Sequence, residues 1–567
     1  MVILLGALLA VVTLFWGWRG WRATHTSRDY LIAGRSVRPS VMGLSYGATL
    51  ASPALILGLA GLGGGPGPAI LGPVLLGFLA GLGLAFGGLG RRTAVLGAAL
   101  GSQTWPELLA QRYQSPGLRT FTGLIMFLAS AAVAAAVLMG VARWLSAATG
   151  VPEVFVVLGI ALVVAVVVVL GGLKGVMYNH AFQAVLVVAV LAAAAAGAWL
   201  ILGRLGATTR PLASLNHLAP LHPRIEGGLI WTFFPWTLVA GLVGGLGLGL
   251  ASQPQLAWRF LTVGRARRVT GAFFWAAGFV LVTAGVAWAL GNWSGQIYWA
   301  KIGPAAEFVS PAPGLNLVPV HGPDVLAVVM DRFLPGWVKI LVGLGLTAAA
   351  LAVLSSLIHL AGVSLGRDVL AQVWRSHVRG GHAMVLLARF GAALGVIAAV
   401  LWARWLPGPV LNVAAWSFVS LAAVAWLPAY GLGLYWRGMT RAGAWASVLV
   451  GLSVWLLHLL FVGAETAPAI GLCQWLLQRP TVLADLGPRA LGWSWWSGGL
   501  DVLLRPLVAP VSDWWRLQFV NPIPLLLPLS LVTAVAVSQL TRRPDPDHLD
   551  RCWRAFRRRP KKVSRPA

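Results

Sequence analysis

Apolar runs long enough to cross a bilayer follow one another along most of this chain, separated by short polar or basic joints. The pattern predicts an all-α polytopic membrane protein with about 13 spans. They lie at about 2–16, 37–62, 67–89, 118–147, 151–170, 176–203, 227–250, 269–291, 336–364, 384–405, 409–435, 440–463 and 522–540. One run differs from its neighbours. It contains Gly43-Leu-Ser-Tyr-Gly-Ala-Thr-Leu-Ala-Ser-Pro53. Pro53 has no N–H and its ring crowds the preceding turn, so carbonyls near Thr49 lose their helical partners. Bare carbonyls at membrane depth persist only where they line a cavity or bind something. Broken spans of this kind hold ions and substrates in transporters. A proline kink packed against neighbours is the other reading of this stretch alone. The run at 227–250 ends Gly-Gly-Leu-Gly-Leu-Gly-Leu-Ala-Ser-Gln-Pro254. It is as glycine-interrupted as the first and crosses in the opposite sense. That is the pattern of an inverted repeat with a central site, or of ordinary glycine packing between helices.

Composition agrees: of 567 residues, 58% are hydrophobic and 10% charged, with a mean hydropathy of +0.81. The net charge of +27 raises nucleic acid as a partner. The basic residues, however, sit at span ends and in the tail, the positive-inside pattern, so nucleic acid is rejected and the partner is the lipid bilayer. Residues 2–16 read as a retained first span, with the N-terminus outside and the C-terminus cytoplasmic. About 30 of the 42 Lys and Arg then face inward. The expected location is the plasma (inner) membrane. The tail from Arg542 to Arg565 reads as a solvated topology anchor. The outer stretch Val502–Pro510, with Trp493, Trp495, Trp496, Trp514 and Trp515, reads as interfacial. Cys473 and Cys552 are expected on opposite sides, and no metal motif follows.

Several segments, in order, resemble the sodium:solute symporter family. Tyr30-Leu-Ile-Ala-Gly-Arg-Ser36 resembles its opening signature, and Ala48-Thr-Leu-Ala-Ser52 followed by Gly58 its broken helix. Thr104-Trp-Pro-Glu-Leu-Leu-Ala-Gln-Arg-Tyr113 resembles its inner loop, and Gly171-Gly-Leu-Lys-Gly175 through Gln183 its fifth core helix. Gln253-Pro-Gln-Leu-Ala-Trp-Arg-Phe260, Arg367-Asp368, Pro428 and Tyr435-Trp-Arg-Gly-Met-Thr-Arg441 resemble later landmarks. The resemblance implies a LeuT-like core of five plus five inverted helices and alternating access. The implied organisation is a first span and basic loop (1–36), a first repeat (37–203), an outer loop (204–226), a second repeat (227–463), a long outer loop with the last span (464–541), and a basic cytoplasmic tail (542–567).

The resemblance also implies a sodium seat between the first and eighth core helices. Its backbone carbonyls would be those of Ala48, Ala51 and Ala349, with two hydroxyls on the eighth helix. Aligned back from Arg367-Asp368, the hydroxyl positions are Ala352 and Val353, which offer no side-chain oxygen to a hard cation. A three-residue slip would bring in Ser355 and Ser356. Where the family has Thr-Asp on the fifth helix, this chain has Asn179-His180, and none of the 15 acids falls in the interior of a predicted span, Glu153 standing at the start of the run at 151–170. The sodium site is therefore expected to be degenerate. His180 and His359 sit at similar depth and are the candidates for a proton or exit path, against a reading as neutral packing residues. Positions near Leu55, Val74 and Leu246 are apolar where sugar carriers are polar, so the solute is a small organic molecule and not a sugar. A monocarboxylate or amino acid remains open. No buried basic residue is evident to bind a carboxylate, which would fall to backbone N–H groups. Thr49, Ser52, Ser417 and Ser420 are the side-chain candidates for the solute. Gln253 and Lys174 read as inner-face structural or gating residues. No cofactor is implied, and no intramembrane nucleophile–base pair suggests an enzyme. A non-transporting sensor or scaffold with the symporter fold is the alternative.

Overall fold

The computed structural model describes residues 1–64, 71–204, 247–302, 332–374, 380–463, 466–482 and 522–557. Its helices of eight or more residues are α1 (Val2–Arg22), α2 (Pro39–Leu50), α3 (Pro53–Gly64), α4 (Val74–Leu100), α5 (Trp105–Arg112), α6 (Pro116–Thr149), α7 (Glu153–Arg204) and α8 (Ala266–Ile302). They continue as α9 (Gly336–Val373), α10 (Gly381–Trp405), α11 (Gly408–Leu421), α12 (Leu427–Tyr435), α13 (Arg441–Val462), α14 (Ile523–Leu540) and α15 (Pro546–Arg557).

Ten helices among the described residues are long and apolar enough to cross a membrane, or eleven with α2 and α3 counted as one bent span. The expected 13 differ from this at two places. The run at 227–250 lies mostly outside the described residues. The runs at 151–170 and 176–203 form one stretch, α7, of 52 residues. A straight helix that long would measure about 78 Å, more than twice the hydrocarbon thickness. The backbone breaks instead at Gly172, with φ 57 and ψ −167. Only glycine takes this conformation without strain. A Cβ there would also stand 2.7 Å from the Tyr30 ring, whose hydroxyl donates to the Val168 carbonyl at 3.0 Å.

Helix α9 is the axis of the molecule. Of its apolar window 83% is buried inside the protein, against 17% for α1 and 22% for α13. The last two therefore face lipid. Helices α8 and α9 both run past their expected ends at 291 and 364. The extension of α9 brings Asp368 inside a span, where the expected end at 364 left it outside.

Asp368 sits at the arginine-rich end, fully buried, where it accepts hydrogen bonds from Thr104 Oγ1 and Arg119 Nε, both at 2.7 Å. Thr104 also caps α5 by accepting from the Glu107 N–H. Glu107 in turn pairs with Arg367 at 3.2 Å and Arg119 at 3.4 Å. Burial alone would raise the Glu107 pKa. The Arg367 and Arg119 guanidiniums and the Gln103 N–H outweigh it and hold the carboxyl below its ordinary value. A lowered folded pKa stabilises the fold fully above the unfolded value of about 4.3 and loses that stabilisation as pH falls through the folded value. Purified protein should therefore unfold at lower temperature as pH drops from about 5 toward 3. Glu107→Gln should flatten that part of the thermal-stability profile.

The basic tail does not behave as a solvated anchor throughout. Residues Pro546–Arg557 form α15, which lies on the arginine-rich face with Cys552 buried. The His548 ring contacts the Arg112 carbonyl at 3.2 Å. The Trp553 and Phe556 rings stand 4.9 and 5.0 Å from the Arg112 and Arg92 guanidiniums. Both cysteines are free. The stretch Val502–Pro510 and its tryptophans lie outside the described residues.

Candidate solute and ion site

Helices α2 and α3 meet at an angle of 68°. The cause is local. The Ser52 N–H turns back to the Leu50 carbonyl at 2.8 Å rather than to Ala48. Pro53 offers no N–H to Thr49. The Leu55 N–H is taken by the Ser52 hydroxyl at 3.2 Å, which caps α3. The carbonyls of Ala48, Thr49 and Ala51 are thereby released from their helical partners at one point of the chain. A second break follows Ser252, where Gln253 is extended (φ −62, ψ 124) ahead of Pro254. Both breaks run into a proline: Ala51 (φ −74, ψ 60) leaves the helical region two residues before Pro53, and Gln253 directly before Pro254, where the proline ring disfavours the helical conformation.

Across from the first break runs α9, which brings Ala349, Ala352 and Val353 to buried positions. A full helical turn on toward the arginine-rich end, the gap between α2 and α9 is bridged by Arg259. This side chain is 1% exposed. Its Nη1 donates to the Ser45 hydroxyl. Its Nη2 donates to Thr49 Oγ1 at 2.6 Å, to Ser356 Oγ at 3.0 Å and to His180 Nδ1 at 3.2 Å. Among the described residues no carboxylate stands within ion-pair distance of it. The expectation that no buried basic residue serves this region is therefore corrected. Arg259 follows Pro254 in a short helical turn rather than in a span.

The arginine also orients His180. Nδ1 stands 3.2 Å from Arg259 Nη2 and 3.3 Å from Ser45 Oγ, and Nε2 points at Ser355 Oγ at 2.7 Å; with Nδ1 accepting from the guanidinium, Nε2 carries the ring proton. Ser355 passes its own proton to the Leu351 carbonyl at 2.6 Å. His359 is 3% exposed and lies between Tyr30 and Trp258, with ring centroids 5.8 and 6.3 Å away. Among the described residues both of its nitrogens lack a hydrogen-bond partner, as do the amides of Asn179 and Gln183. The structure thus brings His180 together with Arg259, Ser45, Thr49, Ser355 and Ser356. Ser45 and Arg259 were missed from sequence. The apolar residues around Arg259, Leu-Ala-Trp before it and Phe-Leu after it, are the signal that could have marked it as buried.

The other candidates separate. Thr49 donates to the Ser45 carbonyl at 3.1 Å as well as receiving Arg259. Ser420 takes the Trp455 indole N–H at 3.0 Å and donates to the Ser417 carbonyl, so its hydroxyl is turned to α13. Leu55 is half-buried and Val74 buried, while Leu246 lies outside the described residues. A hollow of about 440 Å³ lies between α7 and α8, lined by alanines, Trp199 and Trp293. It is remote in sequence from the break, where Ala48, Thr49 and Ala51 are each at most 7% exposed.

A polytopic helical protein with two broken segments, the first set against a central buried helix, is by fold and site a secondary transporter of the LeuT-like class. The chain belongs to the sodium:solute symporter family, whose sequence profile matches residues 30–451. It is 24% identical to the osmoregulated proline transporter OpuE of Bacillus subtilis, over 79% of this chain and 87% of that protein. It is also 24% identical to the high-affinity proline transporter PutP of the same organism, over 77% and 87%. The fold matches the substrate-bound, outward-open state of a Na+-coupled sialic acid symporter with a TM-score of 0.65, at 15% identity, over 86% of this chain and 97% of that one.

Proposed function

We propose that this protein carries a small amino acid or monocarboxylate across the plasma membrane by alternating access, without sodium at the seat between α2 and α9. The observation that carries the reading is the break itself, which releases the carbonyls of Ala48, Thr49 and Ala51 at one depth. Thr49 and Ser52 flank them and are the nearest side-chain candidates for the solute. The apolar Leu55 and Val74 suit a compact, partly apolar molecule better than a sugar. The proline transporters among the relatives are consistent with that size and class.

Sodium is disfavoured twice. Ala352 and Val353 supply no oxygen where the family seat takes two hydroxyls. Arg259 adds a positive charge beside the seat, with no carboxylate partner among the described residues. Two unit charges about 7 Å apart at an effective dielectric of about 20 repel by about 2.4 kcal/mol, or roughly 50-fold in affinity. A proton on His180 is disfavoured by the same neighbour, because protonated Nδ1 would face the guanidinium N–H at 3.2 Å. Uncoupled transport or exchange is the mode this leaves. The arginine-rich end is read as cytoplasmic from its charge.

The test is counterflow in proteoliposomes loaded with members of a panel of amino acids, monocarboxylates and neutral sugars. Labelled solute from one of the first two classes should accumulate transiently, and the sugars should not. Counterflow of none would contradict the transport reading and favour a sensor or scaffold.

A further inference from the structure

We infer that the Arg259 guanidinium is a tethered cation that does the structural work of the missing ion, holding α2 against α9. The inference rests on the reading above only for the location of the seat. Three observations carry it. First, three of the four groups that receive the guanidinium are hydroxyl oxygens, from Ser45 and Thr49 on α2 and Ser356 on α9. Oxygens converging from two facing helices are the donor set a hard monovalent cation takes. Second, Ser356 lies four residues after Ala352, on the same face of α9 one turn nearer the arginine-rich end. The hydroxyl ligands have thus moved one turn along, from Ala352 and Val353 to the level that the guanidinium reaches. Third, the charge is fully buried with no carboxylate partner among the described residues. An arginine kept for an ion pair would show one, since a buried charge normally requires a partner. His180 Nδ1 supplies the fourth contact at 3.2 Å, in the place where the resemblance implies an acid.

The difference from a sodium-coupled carrier is then mechanical. A free ion leaves on each cycle and releases the two helices. A tethered cation stays, so the helices part only by breaking hydrogen bonds to Ser45, Thr49 or Ser356. Whether the seat is empty or filled no longer depends on external sodium.

The experiment is thermal unfolding of detergent-purified protein in sodium chloride against choline chloride at equal ionic strength. The wild type should show no sodium-dependent shift. Ala352→Ser with Val353→Thr should restore the family hydroxyls and still show none, because Arg259 remains. Adding Arg259→Ala to that pair should open the seat and give a saturable rise of several degrees in sodium. Arg259→Gln in the same background replaces it where the alanine variant does not fold. A sodium shift in the wild type or in the two-residue variant would overturn the inference, as would its absence from both three-residue variants. The transport reading is judged separately by counterflow. A protein that shows the predicted shifts without counterflow keeps the tethered cation and loses transport. Counterflow without the shifts does the reverse.

Discussion

Replacing Asp368 with alanine should produce the largest loss of stability available at the arginine-rich end. Its carboxylate is fully buried and receives both Thr104 and Arg119 at 2.7 Å. Removing it leaves the Arg119 guanidinium, about one-eighth exposed, with two longer contacts, to Glu107 and to the Arg367 carbonyl, both at 3.4 Å. It also leaves the Thr104 hydroxyl without an acceptor. Breaking one partner out of a buried ion pair costs about 3–5 kcal/mol, because the surviving charge stays buried and uncompensated. The damage extends beyond one contact, since Thr104 starts α5, Arg119 belongs to α6 and Asp368 closes α9. The unfolding midpoint in detergent should fall by several degrees, and less for Glu107→Gln, whose partners Arg119 and Arg367 are both partly exposed. Equal stability of Asp368→Ala and the wild type would mean that the cluster does not tie these three elements together.

The second large effect is on transport. Pro53→Ala restores an N–H that can reach the Thr49 carbonyl and removes a ring that costs a helix about 3 kcal/mol. Combined with Ser52→Ala, it also frees the Leu55 N–H from the Ser52 hydroxyl and returns it to Ala51. The interruption should heal toward one continuous helix. The double variant should be at least as stable as the wild type and yet lose counterflow by about 100-fold or more, some 2.7 kcal/mol in rate. Stability rising while transport falls is the signature of a break kept for binding. A variant that transports normally would show that the released carbonyls take no part.

The spans and the first break were legible because both are statements about backbone hydrogen bonds. An apolar run of about 20 residues must satisfy its amides internally, and a mid-run proline says which carbonyls will fail to do so. Gly172 was less legible: its run reads as two spans, yet the structure links them through one glycine rather than a loop. Arg259 was not legible as a site residue. It follows Pro254 in a stretch too short to be a span, and a lone arginine after a span reads as an inner-face charge. Its apolar flanks hint at burial, but its partners come from α2, α7 and α9 closing around it, which no local pattern encodes. Helix α15 could have been found. Leu549, Cys552, Trp553 and Phe556 fall at i, i+3, i+4 and i+7, an amphipathic stripe hidden among arginines. Ser420 misled for a related reason, because a buried hydroxyl on a core helix serves packing as readily as a solute, and here it meets Trp455.

The proposed transport cycle uses carbonyls bared by a mid-bilayer break and no mobile sodium ion. Its most direct test is the initial rate of solute counterflow in proteoliposomes with sodium on both sides, against choline on both sides at the same ionic strength. The two rates should agree within about twofold, since less than about 0.4 kcal/mol separates them when no ion joins the cycle. Stimulation of tenfold or more by sodium would contradict the account, because it would require a working cation seat beside Arg259 and opposite Ala352 and Val353.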